Sequence, residues 1–240
     1  GANADATLDT EGQSVTFVYV DGTEGWKNVQ DSTSNVTGSP FLQATGGTIT
    51  TCGNCKIHTF TGPGTFCVSS ISTNCAAENT VSHLVIAGGG GGVAQGGAGG
   101  AGGFREVKSP LTPYTASPLD GYPSAPNRIT VTAAAFPITV GAGGGAGPET
   151  NGSNSVFSTI TSAGGGSTQG GGPQNGSTGG SGGGGSGSVP GSPTGSGGAG
   201  NTPPVSPPQG NSGGDAGSSL LSGGGGGAGG SGTNVSGPTG

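Results

Sequence analysis

The sequence predicts an all-β chain: N-terminal β-hairpin and sandwich units, then a bundle of polyglycine II helices, with almost no α-helix. Three observations carry this expectation. From residue 88 onward one residue in three is glycine, in runs such as Gly88–Gly92, Gly143–Gly145, Gly182–Gly185 and Gly223–Gly227. Short β-branched and aromatic stretches bounded by turn residues precede and interrupt these runs. No window shows the 3.6-residue apolar spacing of an amphipathic helix.

A glycine run loses more backbone freedom on folding than any other sequence and has no side chain whose burial could offset the loss. It is therefore either disordered or hydrogen-bonded, backbone to backbone, with neighbouring segments. The polyproline II geometry favoured by Gly and Pro has about 3 residues per turn and no internal hydrogen bonds, so every N–H and C=O points outward for a partner. Parallel or antiparallel glycine helices in a lattice would satisfy one another, with the non-glycine segments turning at its ends. Collagen is excluded, because the strict three-residue glycine period is missing.

The first unit, 1–38, contains Val15–Val20 and Trp26–Gln30 about the turn Asp21–Gly25, a β-hairpin signal. Residues 30–47 read as a polar connector. The second, 39–87, holds the cysteines and a further expected hairpin, Lys56–Phe60 with Thr65–Val68 about the turn Thr61–Gly64. Val81–Ala87 is a strand that runs into the first glycine run. The third unit, 88–240, is the glycine-rich domain with loop insertions. Strands are expected there at Arg128–Val131, Ile138–Val140 and Val156–Ile160.

Composition restricts function. Apolar residues are 28% and charged residues 7% of the chain, against about 45–50% and about 25% in globular proteins. The net charge is −6, with only five Lys and Arg, which leaves no footprint for nucleic acid. No apolar stretch reaches membrane-spanning length. The chain opens on Gly1, lacks Met and stops within low-complexity sequence, as an excerpt of a longer protein would.

Catalytic signals are weak. Gly179–Gly183 fits G-x-S-x-G only because glycine is so abundant, and it lacks the strand-to-helix context of a nucleophile elbow. His58 and His83 both fall in strands and read as structural. No catalytic residue, metal site or cofactor is expected. Cys52, Cys55, Cys67 and Cys75 fit zinc poorly, because the second pair is seven residues apart. Disulfides are preferred over zinc or free thiols. Pairing His58 with Cys67 across the Thr61–Gly64 turn would put Cys55 and Cys67 on opposite faces, which favours Cys52–Cys55 and Cys67–Cys75.

The segment Lys108–Arg128 interrupts the glycine region with five prolines, Tyr114 and Tyr122. Rigid aromatic and proline surface suits a recognition loop, and a solvated connector is the plain alternative. Tyr114 and Tyr122 are candidate receptor contacts through ring stacking, with Asp120 and Asn127 adding hydrogen bonds. Val189–Asn211 is the other candidate loop.

Several stretches resemble the glycine-rich domain of bacteriophage tail-fibre and adhesin proteins of marine and cyanobacterial tailed phages. They are Lys56–Thr61, Gly64–Phe66, Leu84–Ala87 before its glycine run, Ala101–Arg105, Ile138–Gly144 and Asn151–Phe157. The resemblance covers most of residues 1–165; beyond that it rests on composition. It implies a non-enzymatic, extracellular virion protein, a homotrimer joined to other fibre or tail proteins. Loops on a polyglycine II sandwich would then recognise a host surface polysaccharide or outer-membrane protein. Two departures stand out: the insertion at about 108–127, and the missing terminal strand with which such domains close. A purely structural or ice-binding glycine-rich extracellular protein is the alternative, although long irregular loops suit a flat ice-binding face badly.

Overall fold

The computed structural model describes residues 14–23, 25–31, 41–73, 75–94, 96–147, 149–170, 172–187, 193–217 and 220–235. Among them, regular structure is β-strand, with two short 3-10 turns at Ala76–Asn79 and Ala125–Asn127. The all-β class expected from sequence is the class observed. β1 (Val15–Tyr19) and β2 (Trp26–Asp31) form the expected antiparallel hairpin, closed by an edge-on contact of the Tyr19 and Trp26 rings at 5.4 Å.

The remaining strands are β3 (Gln43–Thr45), β4 (Thr48–Cys52), β5 (Cys55–Thr59), β6 (Gly64–Ser70), β7 (Thr80–Val81), β8 (His83–Ile86), β9 (Phe104–Val107), β10 (Ile129–Thr130), β11 (Ala135–Thr139), β12 (Ser155–Phe157) and β13 (Ile160–Ser162). Five of them make a sheet in the order β13-β12-β11-β6-β3, while β4–β5, β7–β10 and β8–β9 pair off. The sheet thus draws strands from both sides of residue 88.

The hairpin expected about Thr61–Gly64 does not form. β5 pairs with β4 across the two-residue turn Gly53-Asn54, and β6 pairs with β3 and β11. The cause lies at Gly46-Gly47, where both residues have positive φ (108° and 64°) and reverse the chain between β3 and β4. A side chain at either glycine would collide with the Thr65 or Thr59 carbonyl, so this bend is closed to other residues. The His58 ring holds it through Nδ1, 2.8 Å from the Gly46 carbonyl oxygen. The connector 30–47 therefore hides one strand, and β4 follows it directly. The strand expected at Val156–Ile160 is instead a tight hairpin, β12–β13, turning at Ser158 with φ 53°.

Phe66, Val68, Val85, Ile129, Val131, Phe157 and Ile160 form a small core. Phe66, Phe136 and Phe157 pack with centroids 6.0–6.4 Å apart. Burial of such side chains contributes about 1.5–3 kcal/mol each, which supports the β body but not 150 further residues.

Those residues are organised by backbone hydrogen bonds with a period of three. In the first glycine segment, the amides of Ala87 and Gly90 donate to the carbonyls of Gly103 and Gly100. The amides of Gly88 and Gly91 donate to Ser153 and Thr150, while Gly165 and Thr168 donate back to the carbonyls of Gly88 and Gly91. A given neighbour is met every third residue, as a three-per-turn helix requires.

Segment 179–187 lies at the centre. It bonds to segments 98–101, 164–166, 174–177, 195–201, 211–214 and 223–226, which is hexagonal packing. Ser181 and Ser186 in it are wholly buried. A Cβ on Gly182, Gly183, Gly184 or Gly185 would drive into a carbonyl oxygen of a neighbouring segment. At the rim, where a neighbour is absent, side-chain amides and carboxylates replace it. Asn151, Asn154, Asn175 and Asp215 accept from the amides of Ser167, Gly164, Ser196 and Gly197 at 2.8–2.9 Å.

Gly184→Ala is therefore expected to lower the unfolding free energy by about 3 kcal/mol, because the colliding atoms are backbone and cannot rotate away. Gly147→Ala, where nothing lies within 4 Å, should stay within about 0.5 kcal/mol of the parent. Chemical denaturation of the two variants measures the difference.

Candidate functional site

A lattice without side chains cannot discriminate among ligands, so the candidate site must lie where side chains gather. β8 and β9 leave the lattice beside Gly88 and Gly103, and the chain then makes the long excursion 108–128 before β10. A second excursion, 201–209, joins lattice segments 193–200 and 210–217 at the same end. Asn127 Nδ2 donates to the Ser206 carbonyl at 2.8 Å, and the Phe104 amide donates to the Gln209 carbonyl at 2.8 Å. The two excursions are thus one surface next to the β body. The second loop is shorter than expected: 193–200 belongs to the lattice, and 188–192 lies outside the described residues.

Both loops are built around committed polar groups. Glu106, buried on β9, accepts from the Ser117 amide at 2.9 Å and from the Ser117 hydroxyl. Asp120 Oδ1 accepts from the Lys108 and Tyr122 amides, both at 2.9 Å. Asn127 is also buried; its Oδ1 receives Arg105 Nη2 at 2.7 Å and its Nδ2 holds the Gly121 carbonyl at 3.1 Å. In the second loop Asn201 Oδ1 takes the Val205 amide at 3.0 Å. The wholly buried Gln209 bridges the Ala163 amide and the Pro203 carbonyl, both at 2.8 Å.

This placement revises the expected roles of the candidate residues. Asp120 and Asn127 hold the loop together, and the hydrogen bonds expected to face a receptor face inward. Tyr122 is half-buried with the Arg128 guanidinium over its ring at 4.3 Å, so one ring face is already occupied. Tyr114 remains exposed while its hydroxyl is tied to Glu106; burial first, and then that carboxylate, push the phenol up to about 12.

Residues not foreseen from sequence are Leu111, exposed at the loop, and Arg128, exposed and held by Nε to the Tyr122 carbonyl at 2.6 Å. The signal was present: Arg105, Lys108 and Arg128 are the only cations after Lys56.

The cysteines do not join this surface. Cys52 and Cys55 are cross-strand partners at the end of β4–β5, Cys67 lies within β6, and Cys75 precedes the 3-10 turn. No disulfide joins the four in this structure. The register argument that paired His58 with Cys67 falls with the hairpin, since Cys67 faces Thr45 and Ala135. Among the described residues no group of three or more His, Cys, Asp or Glu could hold a metal ion.

His83 closes the underside of the loop surface. Its ring stands edge-on to Phe157 at 5.8 Å, and neither nitrogen meets a hydrogen-bond partner in good geometry. Burial dominates and lowers its pKa to about 4; the nearby Val81 carbonyl and Asp120 oppose this, and Arg105 adds to it. The cleft it lines with Arg105, Leu119, Asn127 and Pro207 has no room for a water molecule.

A family model described as a glycine-rich domain matches residues 59–240. The chain belongs to that glycine-rich domain family. The match begins at the last residue of β5, so it takes in β6–β13 and the lattice but not β3 at the edge of the sheet. No curated protein and no solved structure matches the chain.

Two outcomes follow from this geometry. His83 is neutral when folded, so its contribution to stability is complete above its ordinary pKa of 6.5 and is lost as pH falls toward about 4. His83→Leu should flatten the thermal-stability profile across that interval. Alkylation of the native, reduced chain should modify exposed Cys52, Cys67 and Cys75 faster than half-buried Cys55, with peptide mapping as the readout.

Proposed function

We propose that the chain is the host-recognition part of a virion fibre, in which a rigid glycine lattice presents side-chain-bearing loops to a cell surface. The observation that carries this reading is the convergence of loops 108–128 and 201–209 on one face, each internally braced. Pre-organised loops lose little entropy on binding, and the exposed Leu111 and Tyr114 offer apolar contact. The likeness of residues 1–165 to phage tail-fibre glycine-rich domains supports the same reading. On it the protein works outside the cell, with other fibre or tail proteins as partners, as a homotrimer, and without catalysis.

The test uses the purified chain, fluorescently labelled, on a panel of bacterial cells. The double variant Leu111→Ser, Tyr114→Ala should lose about tenfold in adsorption with an unchanged melting temperature. Leu220→Ser is the control: Leu220 is equally exposed, but lies beside Gly187, at the opposite end of the lattice. Equal loss in both variants, or in neither, rejects the reading.

A further inference from the structure

We propose that the loop surface binds an acidic cell-surface polysaccharide through Arg128, an exposed guanidinium that, among the described residues, is paired with backbone carbonyls and no carboxylate. This rests on the recognition reading above and names its ligand class. In a chain of net charge −6, every cation beyond Lys56 lies between residues 105 and 128. Of the two acids of that segment, Glu106 accepts through Oε2 from the Ser117 amide and hydroxyl, and Asp120 through Oδ1 from the Lys108 and Tyr122 amides. The cations face neutral acceptors: Arg105 meets the Asn127 amide oxygen and the Thr161 carbonyl, and Arg128 meets the Tyr122 and Pro123 carbonyls. Glu106 is thus buried and Asp120 half-buried, while Arg128 is exposed on an anionic protein.

Arg128 is the most organised of these cations. Its Cζ lies over the Tyr122 ring, 4.3 Å from the centroid, and Nε donates to the Tyr122 carbonyl. Nη1 and the remaining Nη2 hydrogen keep their donors for solvent, in the fork that matches a carboxylate or phosphate. Stacking holds the fork rigid, so little rotamer entropy is lost when an anion arrives.

The shape of the surface favours a polymer over a protein loop. Protein partners anchor by inserting a side chain into a pocket, and a cleft lined by both loops has no room for a water molecule. The loop that carries Arg128 also exposes prolines, Leu111 and Tyr114. A repeating polyanion can engage such a face through C–H contact and one bidentate charge, and gains strength by repetition along the polymer.

The experiment measures binding of the full chain to immobilised polygalacturonate and to neutral dextran, beside adsorption to cells. Binding to polygalacturonate but not dextran, falling at least tenfold from about 0.05 to about 0.5 M salt, is expected. Arg128→Gln should bind polygalacturonate and cells about tenfold more weakly at unchanged melting temperature, and Arg128→Lys should recover only part, because it keeps charge but not the fork. Undiminished binding by Arg128→Gln, or equal binding to dextran, overturns the proposal. So does adsorption that survives enzymatic removal of acidic polysaccharide yet is lost on protease treatment of the cells, which identifies a protein receptor and leaves the recognition reading standing. A chain that binds polygalacturonate through Arg128 but adsorbs to no cell supports the anion site and rejects the recognition reading.

Discussion

Among the described residues, the glycine segments of the lattice are held by the carbonyls and amides of their neighbours, and the three-residue repeat of those bonds fixes how closely the segments lie. That spacing leaves no volume for a Cβ at the central positions, so glycine there is a packing requirement as much as a conformational one. The usual order of folding energetics is altered: a small apolar core stabilises the β body, while hydrogen bonds carry most of the chain. Each such bond contributes only about 0.5–1.5 kcal/mol net, so the lattice depends on completeness. Its rim shows how completeness is reached, with Asn151, Asn154, Asn175 and Asp215 supplying the acceptor that a missing strand of backbone would have supplied.

The β body and the lattice are one construction. β8 runs without interruption into Gly88, β9 emerges from Gly103, β11 leads into Gly141, and β12 and β13 sit between lattice segments. The five-stranded sheet and the β8–β9 pair set the lateral spacing of those five crossings and so give the lattice a template at one end. Segments 174–235 have no strand to start from. They add onto the template by bonding to segments already placed, with 179–187 as the shared neighbour.

Putting both large loops at the templated end has a consequence for recognition. Glu106 and Arg105 are on β9, inside a paired strand, and from there they hold Ser117, Tyr114 and Asn127. A loop braced from a strand has its side chains positioned before any ligand arrives. The same bracing withdraws Asn127 and Glu106 from solvent and leaves Arg128 and Leu111 exposed.

The sequence by itself determined the all-β class, the β1–β2 hairpin, the glycine lattice and the segment 108–128 as the place where side chains collect. These follow from local physics: strand propensity, turn residues, and a backbone whose polar groups must find partners. Tertiary structure alone decided the rest. The turn Thr61–Gly64 is as good a hairpin signal as Gly53-Asn54, and only the bend at Gly46-Gly47, with Phe60 packed against it, gave β5 to β4 and β6 to β3. Whether Asp120 and Asn127 point outward or inward depends on residues far away in the chain, Ser206 among them, and no spacing rule encodes that. Nor could sequence show that 201–209 would meet 108–128. Glycine segments have no side chains to specify which neighbour they join, so the pairing is set by the sheet that launches them and by the order in which the hexagonal sites fill.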